Sequence, residues 1–397
     1  MHGKNHLEFL KEEVESLKKQ NLFNALPVLE SEQQARVRLN GKDVITLSTN
    51  NYLGFANHPR LRKAAIEAIH KWGFGTGAVR QIAGTMKIHM DFEEQLARYK
   101  RTEAALVFTA GIAANRGTIQ CLFDEGDVII SDELNHGSII DGVRLTKAGR
   151  KIYPHKNTDE LKKILSESNG FRRRLVVTDG VFSMDGDTAP LDQIAELCQQ
   201  YDAILMVDDA HGDGVMGKDG RGTASHYKVD GLVDIDMGTL SKAFGCLGGY
   251  IAGVQELKDY LTNRARTFIF TTAHPPAVVA ACTEAIRMVQ DEPQHLQNLW
   301  KNTKHFKQGL IDLGFNTGNS ETPITPVIVG ESSLAQQLSA ELFKEGIFVK
   351  PIVYPLVAKD KARVRTIVTA QHTKEDLDTA LEAFGKVGAR LKIISQQ

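Results

Sequence analysis

From about residue 59 the chain alternates short apolar runs with helical stretches, and this alternation restricts the fold more than any other feature. The runs at 104–109, 127–131, 175–178, 203–207 and 235–239 are too short for helices and are almost continuously apolar. Strands of that kind are buried on both faces, which calls for helices above and below a mostly parallel sheet. Helical spacing fills the intervals, as at 61–72 and 191–200. After Pro275-Pro276 a helix at 277–290 leads into a region of different character. Strand-like segments at 324–329 and 364–368 and a last helix at 374–391 predict a smaller α+β domain. A length of 397 residues also favours more than one domain. The expected division is a helix-and-hairpin segment at 1–48, a large α/β domain at 49–290 and a small domain at 291–397, with the first 50 residues joining the small domain.

Leu7, Leu10, Val14 and Leu17 recur at helical spacing, so 5–19 reads as an amphipathic helix that docks on the body or on a partner subunit. Alternation from Ala35 to Leu39, the dipeptide Asn40-Gly41 and the run from Val44 to Leu47 read as a hairpin.

Composition serves mainly to exclude. Lys plus Arg number 48 against 49 Asp plus Glu, a formal charge of -1 that asks for neither nucleic acid nor an anionic membrane. Cys121, Cys198, Cys246 and Cys282 are scattered, with no metal-like spacing, and read as apolar fillers in a reducing compartment. The first nineteen residues are charged throughout, unlike a signal or transit sequence. No apolar run reaches the roughly 20 residues of a transmembrane helix. The expectation is a cytoplasmic protein without a metal.

Chemistry concentrates where the strands end. The run 203–207 is followed by Asp208-Asp209-Ala210-His211, and 235–239 by Leu240-Ser241-Lys242 and the glycine-rich 245–249. In open α/β sheets, ligands bind outside the carboxyl ends of the strands. An acid, an imidazole and a lysine presented there together suit pyridoxal 5′-phosphate (PLP) chemistry, with lysine as imine former and a carboxylate beside the pyridine nitrogen. Taken singly, an Asp-Asp pair also suits a metal or Mg-phosphate site. The glycines at 73–77 could suggest a nicotinamide site, but they follow a helix rather than a strand, so that context fails.

Nine stretches carry a resemblance over nearly the whole chain: STNNYLGFANHP (48–59), GTGAVRQIAGT (75–85), AGIAANRG (110–117), DELNHGSIIDG (132–142), VTDGVFSMDGDTAPL (177–191), VDDAHGDGVMG (207–217), GTLSKAFGCLGGY (238–250), TTAHPPA (271–277) and KARVRTIVTAQHT (361–373). In these the chain resembles the α-oxoamine synthases, PLP enzymes of fold type I (aspartate-aminotransferase-like). The resemblance implies that Lys242 is the Schiff-base lysine and the base for the α-proton. Asp208 would pair with the pyridinium nitrogen, His211 with the ring 3-oxygen, and His136 would stack on the ring. Backbone N–H groups of Gly111 and Ile112 and the Thr239 hydroxyl would hold the phosphate. Thr271 and Thr272 would reach the phosphate of the neighbouring subunit, making a homodimer. Asn50 and Arg365 would grip the amino-acid carboxylate. Asp179 and Ser183 would line the same pocket and orient His211 or the acyl carbonyl.

Within the family the resemblance points to glycine C-acetyltransferase, also called 2-amino-3-ketobutyrate CoA ligase. That implies an acyltransferase joining glycine to acetyl-CoA in threonine catabolism. The alternative is 8-amino-7-oxononanoate synthase, which uses alanine and a pimeloyl thioester and decarboxylates. A catalytically silent scaffold subunit is a third reading, marked by loss of the lysine; Lys242, Asp208 and His211 are all intact. Two positions depart from the family pattern. Ile112 replaces an aromatic residue, and Pro355-Leu356-Val357-Ala358-Lys359-Asp360 replaces the usual loop before the arginine strand, leaving the acyl group open.

Overall fold

The structure is a computed structural model that describes residues 6–20, 22–23 and 25–395. The strands among the described residues are β1 (Arg36–Leu39), β2 (Lys42–Thr46), β3 (Ala104–Phe108), β4 (Val128–Asp132), β5 (Gly149–Tyr153), β6 (Arg174–Asp179), β7 (Ile204–Asp208), β8 (Ile235–Thr239), β9 (Gly249–Gly253), β10 (Ile324–Gly330), β11 (Ile347–Phe348), β12 (Lys350–Ile352) and β13 (Ala362–Ile367). The central sheet has seven strands in the order β3-β9-β8-β7-β6-β4-β5. Neighbours from β8 through β5 pair in parallel, while β9 runs antiparallel to both β8 and β3.

Alternate residues of these strands feed two cores, as a doubly covered sheet requires. Ile129, Leu175, Met206 and Met237 pack on one face, against the helices Gly111–Leu122 and Gly137–Arg144. Val128, Val176, Leu205 and Val207 pack on the other, against Thr158–Ser166 and Leu191–Gln200. Strands β5 and β9 escape the sequence reading for different reasons. Two adjacent charges, Arg150 and Lys151, interrupt the apolar run of β5 at the sheet edge, and β9 looks like more of the glycine loop that precedes it.

The C-terminal part builds a second sheet, β10-β13-β12, all antiparallel. Helices Ser332–Lys344 and Lys374–Arg390 cover this part. The hairpin β1–β2 turns at Asn40 (φ 48°) and Gly41 (φ 75°), the two left-handed residues that a tight hairpin needs. Its second strand pairs in parallel with β11. The N-terminal helix spans Phe9–Lys19 and buries none of its residues in this chain; residue 5 of the expected helix lies outside the described residues.

His155 ties the end of β4 to the loop after β6. Its Nδ1 lies 3.0 Å from Asp132 and its Nε2 3.0 Å from Asp187. Burial alone would lower its pKa, but the two carboxylates override burial and raise it to about 9. The fold therefore binds this proton more tightly than the unfolded chain does. The stability that follows is fully present below about pH 6.5 and is lost as pH rises through about 9. Urea unfolding should show wild type ahead of His155→Gln at pH 6.5, with the gap closing by pH 9.5.

Candidate active site

The parallel strands end around one cavity of about 180 Å³, lined by Lys242, Asp208, His211, His136, Asp179, Ser183, Thr239, Gly111 and Ile112 among others. Each comes from a strand end or the turn after it: Gly111 after β3, His136 after β4, Asp179 on β6, Asp208 on β7 and Thr239 on β8.

Asp208 is buried and fixed from two sides. Asn115 Nδ2 donates to its Oδ2 at 2.6 Å, and the Ala210 N–H to its Oδ1 at 3.0 Å. Asn115 also donates to Ser138 Oγ at 2.8 Å, which links the aspartate to the turn carrying His136. The Ser138 N–H donates to His136 Nδ1, so the neutral ring has its proton on Nε2. Burial holds His136 below the ordinary imidazole range, with Asp208 opposing and Lys242 reinforcing.

His211 is buried, and its Nδ1 shares a 2.7 Å hydrogen bond with the Tyr52 hydroxyl. Burial first, then the nearby Lys242 and Arg365, push its pKa well below the ordinary value, so the ring is neutral. Burial likewise lowers Lys242, against the pull of Asp208 and Asp179. A desolvated amine is more readily neutral, which is what a nucleophile or proton acceptor needs. Asp179 lies well above the carboxylate range through burial and the charge of Asp208. Its Oδ2 accepts from the His136 N–H at 2.9 Å, so it anchors the His136 turn, while the hydrogen bond to His211 comes from Tyr52.

The cavity floor suits a phosphate. Gly111 opens the helix Gly111–Leu122, and first-turn N–H groups with a positive helix end bind anions. A Cβ on Gly111 would stand 2.6 Å from Thr239 Cγ2, and one on Gly249 2.6 Å from the Gly111 Cα. The missing side chains let the backbone approach Thr239 closely. With a lysine, a fixed carboxylate and this cradle around one space, the residues fit PLP.

Asn50, Arg365, Thr271 and Thr272 are not among these lining residues, although Arg365 is close enough to Lys242 and His211 to act on both. Asn50 Oδ1 is buried without a hydrogen-bond partner among the described residues. Thr271 and Thr272 border a separate cavity with Arg80, Thr267 and His274. Arg363 and Arg365 project from the same face of β13, a degeneracy that strand periodicity cannot resolve. The structure separates them: Arg363 is buried, bonded to Asp185 Oδ1 at 2.6 Å and to the Met184 carbonyl at 3.0 Å. Arg365 donates to the Ser183 carbonyl at 3.0 Å and has no carboxylate partner among the described residues.

The class I and II aminotransferase family matches residues 42–384. The 8-amino-7-oxononanoate synthase of Thermoanaerobacter pseudethanolicus is 56% identical over 389 residues, covering 98% of both chains. 8-Amino-7-oxononanoate synthase 1 of Bacillus subtilis is 52% identical over 98% of this chain and 99% of its own. Among solved structures, serine palmitoyltransferase of Sphingomonas wittichii superposes with a TM-score of 0.93 at 31% identity, over 98% of this chain and 99% of that one. These relatives overturn the expected assignment to glycine C-acetyltransferase and threonine catabolism. The reason is chemical: the motifs quoted above build the cofactor site, which every branch shares, and carry little information on the acyl group. The fold and cofactor expectations hold, and the chain belongs to the class I and II aminotransferase family and, within it, to the PLP-dependent, acyl-transferring α-oxoamine synthases.

Proposed function

We propose that this protein condenses alanine with a pimeloyl thioester, releasing CO2 and the free thiol and forming 8-amino-7-oxononanoate. The choice of substrates is carried by the relatives over the full chain, which bear this enzyme's name. Its amino-acid end is supported by the Arg365 guanidinium, which lies near Lys242 and His211 and has no carboxylate partner among the described residues. A guanidinium fork grips a carboxylate at two points. Asn50, whose buried Oδ1 has no partner among the described residues, would supply an amide to the same carboxylate.

PLP, when bound, supplies an electron sink that makes the α-carbon of the amino acid nucleophilic. Lys242 holds the cofactor and accepts the α-proton. Asp208, oriented by Asn115, would pair with the pyridinium nitrogen. His211, braced by Tyr52, would donate to the ring oxygen, and His136 would lie against the ring. Gly111, Ile112 and Thr239 would hold the phosphate. Thr271 and Thr272, at their separate cavity, serve the phosphate of a second copy, so the working unit is a homodimer. Arg365 would fix the carboxylate and thereby the orientation of the amino acid in the site.

Free-thiol release, measured for glycine, alanine and serine against acetyl, longer-chain and pimeloyl thioesters, tests the assignment. Alanine with the pimeloyl thioester is the expected best pair, with a product lighter by CO2. Glycine with acetyl-CoA as the best pair overturns it.

The two arginines give a sharper test. Arg365→Ala should weaken amino-acid binding by about 1.5–3 kcal/mol, the loss of charge-assisted hydrogen bonds, or about ten- to a hundredfold. Arg363→Ala should leave alanine affinity close to wild type and lower thermal stability instead, because it strands Asp185. Alanine titrations of both variants check this, and a larger binding loss at Arg363 would redraw the site.

A further inference from the structure

Arg365 has a second unpaired cation beside it. In the β12–β13 ladder, Lys350 is the direct cross-strand partner of Arg365. Residues opposite each other in an antiparallel pair present their side chains on the same face, about 5 Å apart at Cβ. That face is the one applied to the loop after β6, where Arg365 and Arg363 meet Ser183, Met184 and Asp185. The Lys350 backbone is pinned there, its N–H donating to Ser48 Oγ at 2.7 Å. Its half-buried side chain has no ion-pair partner among the described residues.

Like charges directly opposite one another destabilise a sheet. Elsewhere on this face the problem is solved: Arg363 has Asp185 at 2.6 Å. Lys350 and Arg365 face each other across the ladder, and neither has a carboxylate partner among the described residues. Such a pair is relieved by a ligand that brings two negative groups. Alanine brings one, and Arg365 takes it in the reading above. The acyl chain of the proposed thioester brings the other, a free carboxylate at its far end, six bonds from the reacting carbonyl. Lys350 lies on the strand beside Arg365, which itself is close enough to Lys242 and His211 to lower the pKa of both.

We infer that Lys350 recognises the terminal carboxylate of the acyl chain and thereby selects a dicarboxylic over a plain fatty acyl thioester. This rests on the function proposed above and adds the residue that sets acyl specificity. Neighbouring Lys359 is a natural comparison, because it is exposed and sits over the Tyr354 ring, 5.8 Å from its centroid.

The test uses the full-length, PLP-loaded protein and two seven-carbon thioesters, one with the terminal carboxylate and one without. The readout is the ratio of their kcat/KM values, so a general loss of activity or stability cancels. Wild type should favour the carboxylated chain. Lys350→Met should cut the ratio by about ten- to a hundredfold, as for loss of one charge-assisted hydrogen bond, and Lys350→Arg should restore most of it. Competition by heptanedioate against heptanoate should shift in parallel, without turnover. If wild type has the preference and Lys350→Met keeps it, or Lys359→Met is the variant that loses it, the inference is wrong and the proposed reaction stands. A wild type with no preference for the carboxylated chain sinks the proposed reaction, and this inference with it.

Discussion

Lys242→Ala should lose turnover by about 10⁴-fold or more, the upper range for removing a positioned acid–base group, while keeping its fold. The amine sits on the turn just past β8, lowered by burial and faced by Asp208. Nothing in the core depends on it, so the thermal midpoint should stay within a few degrees of wild type. Borohydride reduction of PLP-loaded wild type, followed by peptide mapping, should place the label on Lys242. A label on another lysine, or substantial turnover in Lys242→Ala, removes this residue from the centre of the chemistry.

The second large effect lies beneath the site. Lys100, at the end of the helix Lys87–Lys100, is almost wholly buried. Its Nζ lies 2.8 Å from Asp213 Oδ1, 3.0 Å from Asp236 Oδ2 and 2.8 Å from the Arg221 carbonyl, which uses all three of its protons. Burial opposes its charge, yet the surrounding carboxylates hold it protonated well above the ordinary range. Asp213 also accepts from the Tyr250 hydroxyl and follows His211 by two residues, while Asp236 is the second residue of β8, the strand that leads to Lys242. Lys100→Met strands two carboxylates in the interior, a change that costs about 3–5 kcal/mol when one partner of a buried pair is removed. Urea unfolding should register that loss. The double variant Lys100→Met/Asp213→Asn should recover part of it, since contacting residues are non-additive. A single variant as stable as wild type would mean the cluster adds nothing to the fold.

How far the sequence reveals this molecule depends on whether a feature is periodic or spatial. The buried strands are legible because five apolar runs alternate with helices, and the residues that follow them, Asp208, His211 and Lys242, fall at strand ends where ligands bind. The helix Leu191–Gln200 is read to the residue. Tyr52 and Asn115 lie inside the quoted stretches but were given no task, because what marks them is contact with His211 and Asp208 across 159 and 93 residues of chain. Lys100 and Lys350 look like surface lysines in one dimension; only packing and strand register expose them. The choice between Arg363 and Arg365 is of the same kind, decided by Asp185.

The way β13 is held against the cavity wall affects what mutagenesis can reveal. Arg365 and Arg363 grip this loop through the main-chain oxygens of Ser183 and Met184, and only Asp185 contributes a side chain. A carbonyl is present whatever residue occupies the position. A substitution scan should therefore report Asp185 as sensitive, yet pass over the carbonyl contacts at 183 and 184 for any residue that keeps the backbone path. Proline substitution, which constrains that path, should uncover them. As far as the arginines are concerned, the contact that keeps the small sheet beside the reacting groups is thus open to sequence drift at Met184, while at Ser183 only the side chain's place in the cavity lining restricts the residue.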